Sequence, residues 1–323
     1  MVDSKKIDLR FTTIQEPVPH FIYEGLERYV KDCNTYYPQP EFLRETLKNK
    51  FRLPSIDWVL LTNGVDEAIR ITLETFGAQT DIFTPTEHST TNQFNPSLRT
   101  HYSLVDDQYK ISTKNTKDSS LFIIANPNNP VGYTEKKDII TLLENNPQAI
   151  VVIDEIYSEY APELSVVDLL QRYQNLVVFR GFSKSYGLAG IRLGYILTNP
   201  ENIKKISEKV TWSNVSYLSC GAAQVALEHE EYYAELRKKV LIKKESIVEI
   251  LTKKKYHIIQ SLINTITLKF PAEAEATRLV SKLADNGVFI NQGNSDGRVG
   301  IDNSFVSFVV GTEEQMSRLI VLL

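Results

Sequence analysis

The sequence predicts an α/β protein with a large domain built on a mostly parallel sheet of the seven-stranded type, sandwiched by helices, and a small α+β domain. Three observations predict this fold class. Short, continuous apolar runs are typical of strands buried on both faces of a parallel sheet. Helical patterns separate these runs, as the crossover connections of parallel strands require. The pattern changes near residue 201, where a long helical stretch begins.

The elements of the large domain follow one another from residue 58 onward. A helix over 65–77 is ended by Gly77, and a second helix covers 136–146. Pro85 ends one of the strands because it cannot donate to a strand ladder. The predicted strands are 58–64, 80–88, 120–130, 149–157, 175–180 and 194–200.

The last third of the chain predicts a different architecture. We expect a helical stretch over 201–255, then strands within 257–270 and 305–312 around a helix at 274–287. We expect residues 1–30 to form an N-terminal segment that joins the small domain. Residues 31–205 form the large domain, and residues 206–323 form a long helix and the small C-terminal domain.

The composition excludes several classes of function. The net charge of −4 over 323 residues is small and does not indicate a basic binding surface for nucleic acid or an anionic membrane. Cys33 and Cys220 form no pairing pattern, which favours a reducing compartment and the cytoplasm. The five histidines have no metal-site spacing, no apolar run approaches the length of a membrane span, and there is no dinucleotide or Walker loop.

Polar side chains gather where the predicted strands end. Asn129, Asp154 with Tyr157, and Lys184 follow successive strands. Each has a simple structural alternative: an aspartate at a strand end is often a helix cap, and "NPNNP" is a turn signal. Together, however, they bring an amine, a carboxylate, an amide and a phenol to one edge of the sheet, where α/β proteins build their active sites.

These segments resemble a known family. "TNGVDEAI" (62–69), "IIANPNNPVGY" (123–133), "VVIDEIYSEY" (151–160) and "RGFSKSYGLAGIRLGY" (180–195), preceded by "YPQPEFLRETL" (37–47), are similar in order and spacing to the fold-type-I, pyridoxal 5′-phosphate (PLP)-dependent class I/II aminotransferases. The resemblance is strongest to the histidinol-phosphate aminotransferase group.

The resemblance implies a role for each group. Lys184 would hold the PLP aldehyde as a Schiff base and then act as general acid and base. Asp154 would keep the pyridine nitrogen protonated. Asn129 and Tyr157 would hydrogen-bond the 3′-oxygen. The groups implied for the phosphate are the helix start at Gly64, Val65 and Asp66, the Ser183 hydroxyl and the Arg192 guanidinium.

Tyr37 matches a family tyrosine that reaches the phosphate bound by the neighbouring subunit. The resemblance therefore implies a homodimer with shared active sites. The alternative is a tyrosine that packs beside Pro38.

The chain departs from the family pattern at four points. His88 or Thr90 stands where an aromatic ring would stack on the cofactor, and Gly181 replaces a threonine. Ser307 and Asn291 occupy the positions of two family arginines. The arginine that matches Ser307 binds the substrate α-carboxylate in the family. Arg298 either takes over this task from its loop or is an ordinary turn arginine.

Three functions remain open on these grounds. The first is an aminotransferase that moves an amino group from a small-molecule donor to a keto or aldehyde acceptor. The second is a PLP-dependent decarboxylase or lyase acting on an amino acid or phospho-amino acid. The third is a non-catalytic binding protein that retains the fold.

Overall fold

The structure is a computed structural model that describes residues 6–84, 99–101, 110–113, 119–293 and 301–323. The strands are β1 (Ile7–Asp8), β2 (Val59–Thr62), β3 (Thr80–Phe83), β4 (Arg99–His101), β5 (Leu121–Ala125), β6 (Ile150–Asp154), β7 (Leu176–Gly181), β8 (Gly194–Leu197), β9 (His257–Ile259), β10 (Thr265–Lys269), β11 (Val288–Phe289), β12 (Asn291–Gln292) and β13 (Phe305–Val309). The helices of the described residues are α1 (His20–Val30), α2 (Glu41–Phe51), α3 (Gly64–Phe76), α4 (Lys136–Asn145), α5 (Pro200–Ser207), α6 (Tyr217–Glu228), α7 (Glu230–Lys253), α8 (Glu273–Asp285) and α9 (Glu313–Leu322).

The large sheet has seven strands in the order β2-β8-β7-β6-β5-β3-β4. Strands β7, β6, β5, β3 and β4 are mutually parallel, whereas β8 is antiparallel to both of its neighbours. The predicted α/β fold with a mostly parallel seven-stranded sheet is therefore confirmed.

The continuous apolar runs form this sheet because both of its faces are covered. Val151 and Ile153 of β6 belong to one buried cluster, while Val152 between them belongs to a second cluster on the opposite face. All three are fully buried. Successive side chains of a strand point to opposite faces, so a strand with two cores needs apolar residues at every position.

The small sheet is antiparallel, in the order β12-β13-β10-β9. Its apolar face, with Ile266, Leu268 and Phe308, packs into a separate core with residues of α7, α8 and α9. The N-terminal strand β1 pairs in parallel with β11, so the start of the chain lies beside this sheet. The domain boundaries given above stay a prediction.

The predicted helical stretch over 201–255 consists of three helices, α5, α6 and α7, with non-helical residues between them. Ser216 caps α6 by accepting a hydrogen bond from the N–H of Ser219 at 3.4 Å. His229 has non-helical dihedrals and separates α6 from α7. Helical composition alone did not reveal these interruptions, since caps depend on the local backbone path. Among the described helices, none combines the length and the apolar character needed to cross a membrane.

Candidate active site

The register of the large sheet brings several strand ends to one edge. Thr62, the last residue of β2, lies opposite Gly194, which in turn lies opposite Gly181 at the end of β7. Asp154 at the end of β6 lies opposite Ala125 at the end of β5. The segments that follow β2, β5, β6 and β7 therefore leave the sheet side by side. We call this the large-sheet edge.

Asp154 is buried at the large-sheet edge, with 4% of its surface exposed. Its Oδ1 accepts a hydrogen bond from the N–H of Ile156 at 3.1 Å. No helix of the described chain begins here; a short 3-10 turn begins only at Ser158. The alternative of a helix cap therefore does not apply to Asp154.

Asn129 lies on a loop that several hydrogen bonds hold in place. The N–H of Asn126 donates to the Asp154 carbonyl at 2.9 Å, and the Asn126 side chain exchanges hydrogen bonds with the backbone of Thr134 at 2.9 and 3.0 Å. Asn128 Nδ2 donates to the Val131 carbonyl at 2.8 Å. "NPNNP" is thus a turn, as its composition indicates, and the start of this turn, Asn126, is bonded to the end of β6.

Lys184 and Tyr157 face each other across the same edge. The Lys184 Nζ lies 5.9 Å from the centroid of the Tyr157 ring, within the range of a cation–π contact. Tyr157 is 5% exposed, and its hydroxyl lies 2.5 Å from Thr12 Oγ1. The amine predicted from sequence is therefore close to the predicted phenol.

Arg192 packs against the start of α3. Gly64 has a φ of +73°, and a Cβ added there would lie 2.7 Å from Arg192 Nη2. Glycine is required because a side chain would be strained and would displace the guanidinium. Arg192 Nη2 donates to Asp66 Oδ2 at 2.7 Å, and both side chains are exposed. A guanidinium beside a helix N-terminus is suited to an anion such as phosphate.

Val65 and Ser183 complete the predicted set at this edge. A Cβ added at Gly194 would lie 2.8 Å from the nitrogen of Val65, so this strand passes closely under the start of α3. Ser183 is half-buried next to Lys184. Gly181, which replaces a family threonine, has little room: a Cβ there would lie 3.0 Å from Ile156 Cδ1 and 3.1 Å from the Leu193 carbonyl oxygen.

Ser307 and Asn291, which replace the two family arginines, are cross-strand neighbours in the small sheet. Ser307 lies opposite both Asn291 and Thr267, so the three side chains share one face. All three are buried. Asn291 Nδ2 donates to the Arg10 carbonyl at 2.9 Å. We call these three uncharged polar residues the neutral row.

The neutral row approaches the Asn129 loop. The carbonyl oxygen of Pro130 accepts hydrogen bonds from Ser261 Oγ at 2.8 Å and from Thr265 Oγ1 at 3.1 Å. A cavity of about 10 Å³ is lined by Pro130, Thr267 and Ser307, among others. His88, Thr90 and Arg298 lie outside the described residues.

Tyr37 stacks on a neighbouring tyrosine. Its ring lies 4.3 Å from that of Tyr217 at an angle of 26°, and it is 36% exposed. Tyr36 and Trp212 beside it are 71% and 69% exposed, with ring centroids 5.1 Å apart. We call Tyr36, Tyr37, Trp212 and the exposed Leu218 the aromatic patch.

Sequence reasoning missed the buried ion pair next to Asp154. Arg180 donates to Glu155 Oε2 at 2.6 and 3.0 Å and to Glu159 Oε1 at 3.0 Å. Burial opposes the charge of Arg180, but Glu155 and Glu159 outweigh this penalty and hold the pKa of Arg180 above its ordinary value. The ion pair joins β7 to the segment that follows β6. The sequence did not indicate this pair, because Arg180 and Glu155 are 25 residues apart.

A cavity of about 620 Å³ lies beyond this ion pair, between α7 and the large sheet. Several of its charged lining residues pair with one another: Lys50 and Arg237 each contact Glu230, and Arg180 contacts Glu159. It contains none of the predicted site residues. We therefore assign no ligand to it.

Comparison with known proteins identifies the family. The family described as "Aminotransferase class I and II" matches residues 93–323. A histidinol-phosphate aminotransferase of Clostridium botulinum is 30% identical over 97% of this chain and 90% of the relative. That of Acinetobacter baylyi is 30% identical over 90% of this chain and 81% of the relative.

Solved structures show the same fold. The histidinol-phosphate aminotransferase of Clostridium acetobutylicum has a TM-score of 0.88 at 23% identity, covering 98% of both chains. That of Sinorhizobium meliloti, in complex with pyridoxal-5′-phosphate, has a TM-score of 0.87 at 20% identity, covering 98% of this chain and 89% of that chain. An L-threonine-O-3-phosphate decarboxylase of Porphyromonas gingivalis reaches 0.81 at 21% identity, covering 98% of both chains.

The prediction of a PLP-dependent aminotransferase of fold type I is confirmed by the family match and the relatives. The chain belongs to the aminotransferase class I and II family.

Proposed function

We propose that the large-sheet edge holds PLP and that this aminotransferase uses Lys184 to move protons on the substrate. The observation that carries this proposal is the convergence of Lys184, Tyr157, Asp154 and the Asn129 loop at one edge, with Lys184 Nζ 5.9 Å from the Tyr157 ring. Four chemically distinct groups at neighbouring strand ends support an active site at this edge over an ordinary surface loop.

The residues at this edge fit PLP. A phosphate is suited to the start of α3, where Gly64 leaves room for the Arg192 guanidinium. The Ser183 hydroxyl is a further donor. Asp154 is a buried carboxylate suited to a protonated ring nitrogen. The Asn129 amide and the Tyr157 phenol would hydrogen-bond the 3′-oxygen.

Bound PLP supplies an aldehyde that captures the substrate nitrogen and a ring that withdraws electrons from the substrate Cα. Lys184 Nζ would first hold the aldehyde, and then, released by the substrate, take a proton from Cα and return one. Tyr157 would orient the hydrogen bond at the 3′-oxygen. The burial of Tyr157 and Asp154 would keep water away from this face.

The relatives' names and the neutral row suggest the substrate class. The relatives are histidinol-phosphate aminotransferases, which points to a phosphorylated amino alcohol as one partner of the reaction. The neutral row has no cation that could pair with an α-carboxylate. We therefore propose that the preferred amine either lacks an α-carboxylate or presents it to a group outside the neutral row.

We also propose a homodimer in which Tyr37 reaches the phosphate of the partner subunit. The aromatic patch around Tyr37 supports an interface, because clustered exposed aromatic side chains mark protein–protein contacts. The cytoplasm remains the proposed location: Cys33 and Cys220 are both free, and burial raises the pKa of the Cys220 thiol to about 12.

Reduction of the protein–cofactor linkage tests the PLP proposal. Protein loaded with PLP is treated with borohydride, digested and mapped by mass spectrometry. We expect the pyridoxyl group on Lys184 alone, and none in Lys184→Ala. Lys209→Ala serves as a matched lysine control. A pyridoxyl group on any other residue would contradict the assignment.

Product analysis separates transamination from the decarboxylase and lyase alternative. The loaded enzyme is mixed with histidinol phosphate, glutamate and O-phosphothreonine in turn. An absorbance change to the pyridoxamine form indicates transamination, and release of carbon dioxide or an unsaturated product indicates the alternative. A protein that binds PLP but converts no amine in a broad panel would favour the non-catalytic binding protein.

Subunit mixing tests the shared site. A hybrid of Lys184→Ala with Tyr37→Phe contains one site with both native residues if Tyr37 serves the partner. We expect the mixture to be more active than either variant alone, by up to about one quarter of wild-type activity at random pairing. If Tyr37 serves its own subunit, no native site forms and mixing has no effect.

A further inference from the structure

A hydrogen bond between Thr12 and Tyr157 connects the N-terminal segment to the large-sheet edge. Thr12 is 4% exposed and Tyr157 is 5% exposed, so water does not compete for this contact. The two oxygens lie 2.5 Å apart, although 145 residues separate them in sequence. We infer that Thr12 is a positioning residue that fixes the phenol of Tyr157; this inference rests on the proposed role of Tyr157 beside PLP.

The backbone around Thr12 is held from the small sheet. The Thr12 carbonyl accepts a hydrogen bond from Asn264 Nδ2 at 3.1 Å, and the Leu9 carbonyl accepts one from the N–H of Val309 at 2.9 Å. Asn264 is fully buried and directly precedes β10. Thr12 therefore has a fixed location set by the small sheet.

The same segment then contacts the lysine loop. The N–H of Ile14 donates to the carbonyl of Lys184 at 3.4 Å. A Cβ added at Gly187, three residues after the lysine, would lie 3.3 Å from Ile14 Cβ. Residues 9–14 thus bridge the small sheet, Tyr157 and the lysine loop, and only the Thr12 hydroxyl reaches the phenol.

The chemistry of two hydroxyls gives this contact a direction. When the Thr12 hydroxyl donates to the phenol oxygen, the single phenol hydrogen stays free to donate to a cofactor oxygen. Without Thr12, the buried phenol oxygen loses a partner, and its hydrogen is no longer aimed. Since a donor at the cofactor 3′-oxygen stabilises negative charge there, a poorly aimed donor leaves the cofactor–lysine nitrogen more basic.

Spectroscopic titration of the PLP-loaded protein tests this inference. Thr12→Val removes the hydroxyl while keeping the shape, and we expect the midpoint pH of the cofactor absorbance change to rise by about half a unit, the size of one neutral hydrogen bond. The turnover number should fall by roughly 3- to 10-fold. Thr12→Ser should restore both properties.

Thr13→Val is the matched control. Thr13 Oγ1 is also buried but has no hydrogen-bond partner within the described part of the chain. The Thr13→Val variant should leave the midpoint pH of the cofactor absorbance change unchanged. In a Tyr157→Phe background, Thr12→Val should cause no further shift, because the two residues act through one contact. Thr12→Ala provides a second hydroxyl-free variant if the valine variant is unstable.

The outcomes distinguish this inference from the proposed function. If the wild-type protein forms no reducible linkage at Lys184, the proposed function fails and the inference with it. If the linkage forms but Thr12→Val and Thr12→Ala titrate like Thr13→Val, the inference alone is overturned.

Discussion

The large-sheet edge and the neutral row both lie near the Asn129 loop but differ in chemistry. The large-sheet edge carries charged or ionisable groups at the end of β6 and in the segments after β6 and β7: Asp154, Tyr157, Lys184 and Arg192. The neutral row consists of Thr267, Ser307 and Asn291, all uncharged. On the roles proposed above, the groups for cofactor chemistry and those for substrate recognition are built on different sheets, so a substitution in one set leaves the backbone that holds the other unchanged.

Removal of Lys184 should have the largest effect. Lys184→Ala should lower the turnover number by at least about 1,000-fold, because no other group would move the proton at Cα. Rapid-mixing absorbance measurements of the half-reaction check this. PLP should still bind through the phosphate contacts, and a variant that loses PLP entirely would contradict a separate phosphate site.

Substitution of Asp154 should be the next most severe change. Asp154→Asn replaces the buried carboxylate by a neutral group of the same shape, so the ring nitrogen would lose its charge partner. We expect retained cofactor and a half-reaction slower by about 100-fold, equivalent to about 2.7 kcal/mol of barrier. A rate within a few-fold of wild type would mean that another group holds the ring nitrogen.

Addition of a cation to the neutral row tests whether its lack of charge limits the use of carboxylate substrates. Ser307→Arg places a guanidinium where the family pairs the α-carboxylate, and we expect kcat/KM for glutamate to rise by about 10-fold. Activity with a simple primary amine should not rise. Ser307→Gln, which adds length without charge, is the control; equal improvement by both variants would contradict an electrostatic cause.

The smallest expected effect concerns Lys244, which supports the loop before β10. Its Nζ donates to the carbonyls of Ser261 and Ile263 at 2.5 and 2.6 Å. Burial lowers the pKa of Lys244 from 10.5 to about 8. Between about pH 8 and pH 10.5, the Lys244 amine is protonated in the unfolded chain but deprotonated in the folded protein. The free energy of unfolding should therefore rise with pH over this range.

Thermal unfolding of wild type and Lys244→Met at pH 7.5 and pH 10 measures this effect. The difference in unfolding free energy should move in favour of wild type at the higher pH by on the order of 1 kcal/mol. A pH-independent difference would mean that the ammonium is as well solvated in the folded protein as in the unfolded chain.

The sequence by itself determined the large sheet and the residue types at its edge. Short, continuous β-branched runs such as "IVVID" favour strands with a core on each face, and the residues that follow parallel strands leave at the carboxyl edge. The positions of Asp154, Lys184 and Asn129 at or after the ends of strands were therefore predictable from the sequence, whereas their roles stay a prediction from the family resemblance. The interruptions of the 201–255 stretch were not, because helix caps depend on the path of the backbone.

Only the tertiary structure decided which distant segments meet. The contacts of Thr12 with Tyr157, of Arg180 with Glu155, and of Ser307 with Asn291 join residues that share no sequence pattern. Such contacts follow from strand register and from the return of the N-terminal segment to the small sheet. Periodicity is a local property of the chain, whereas the partner of a buried hydroxyl or guanidinium is set by the packing of the whole molecule.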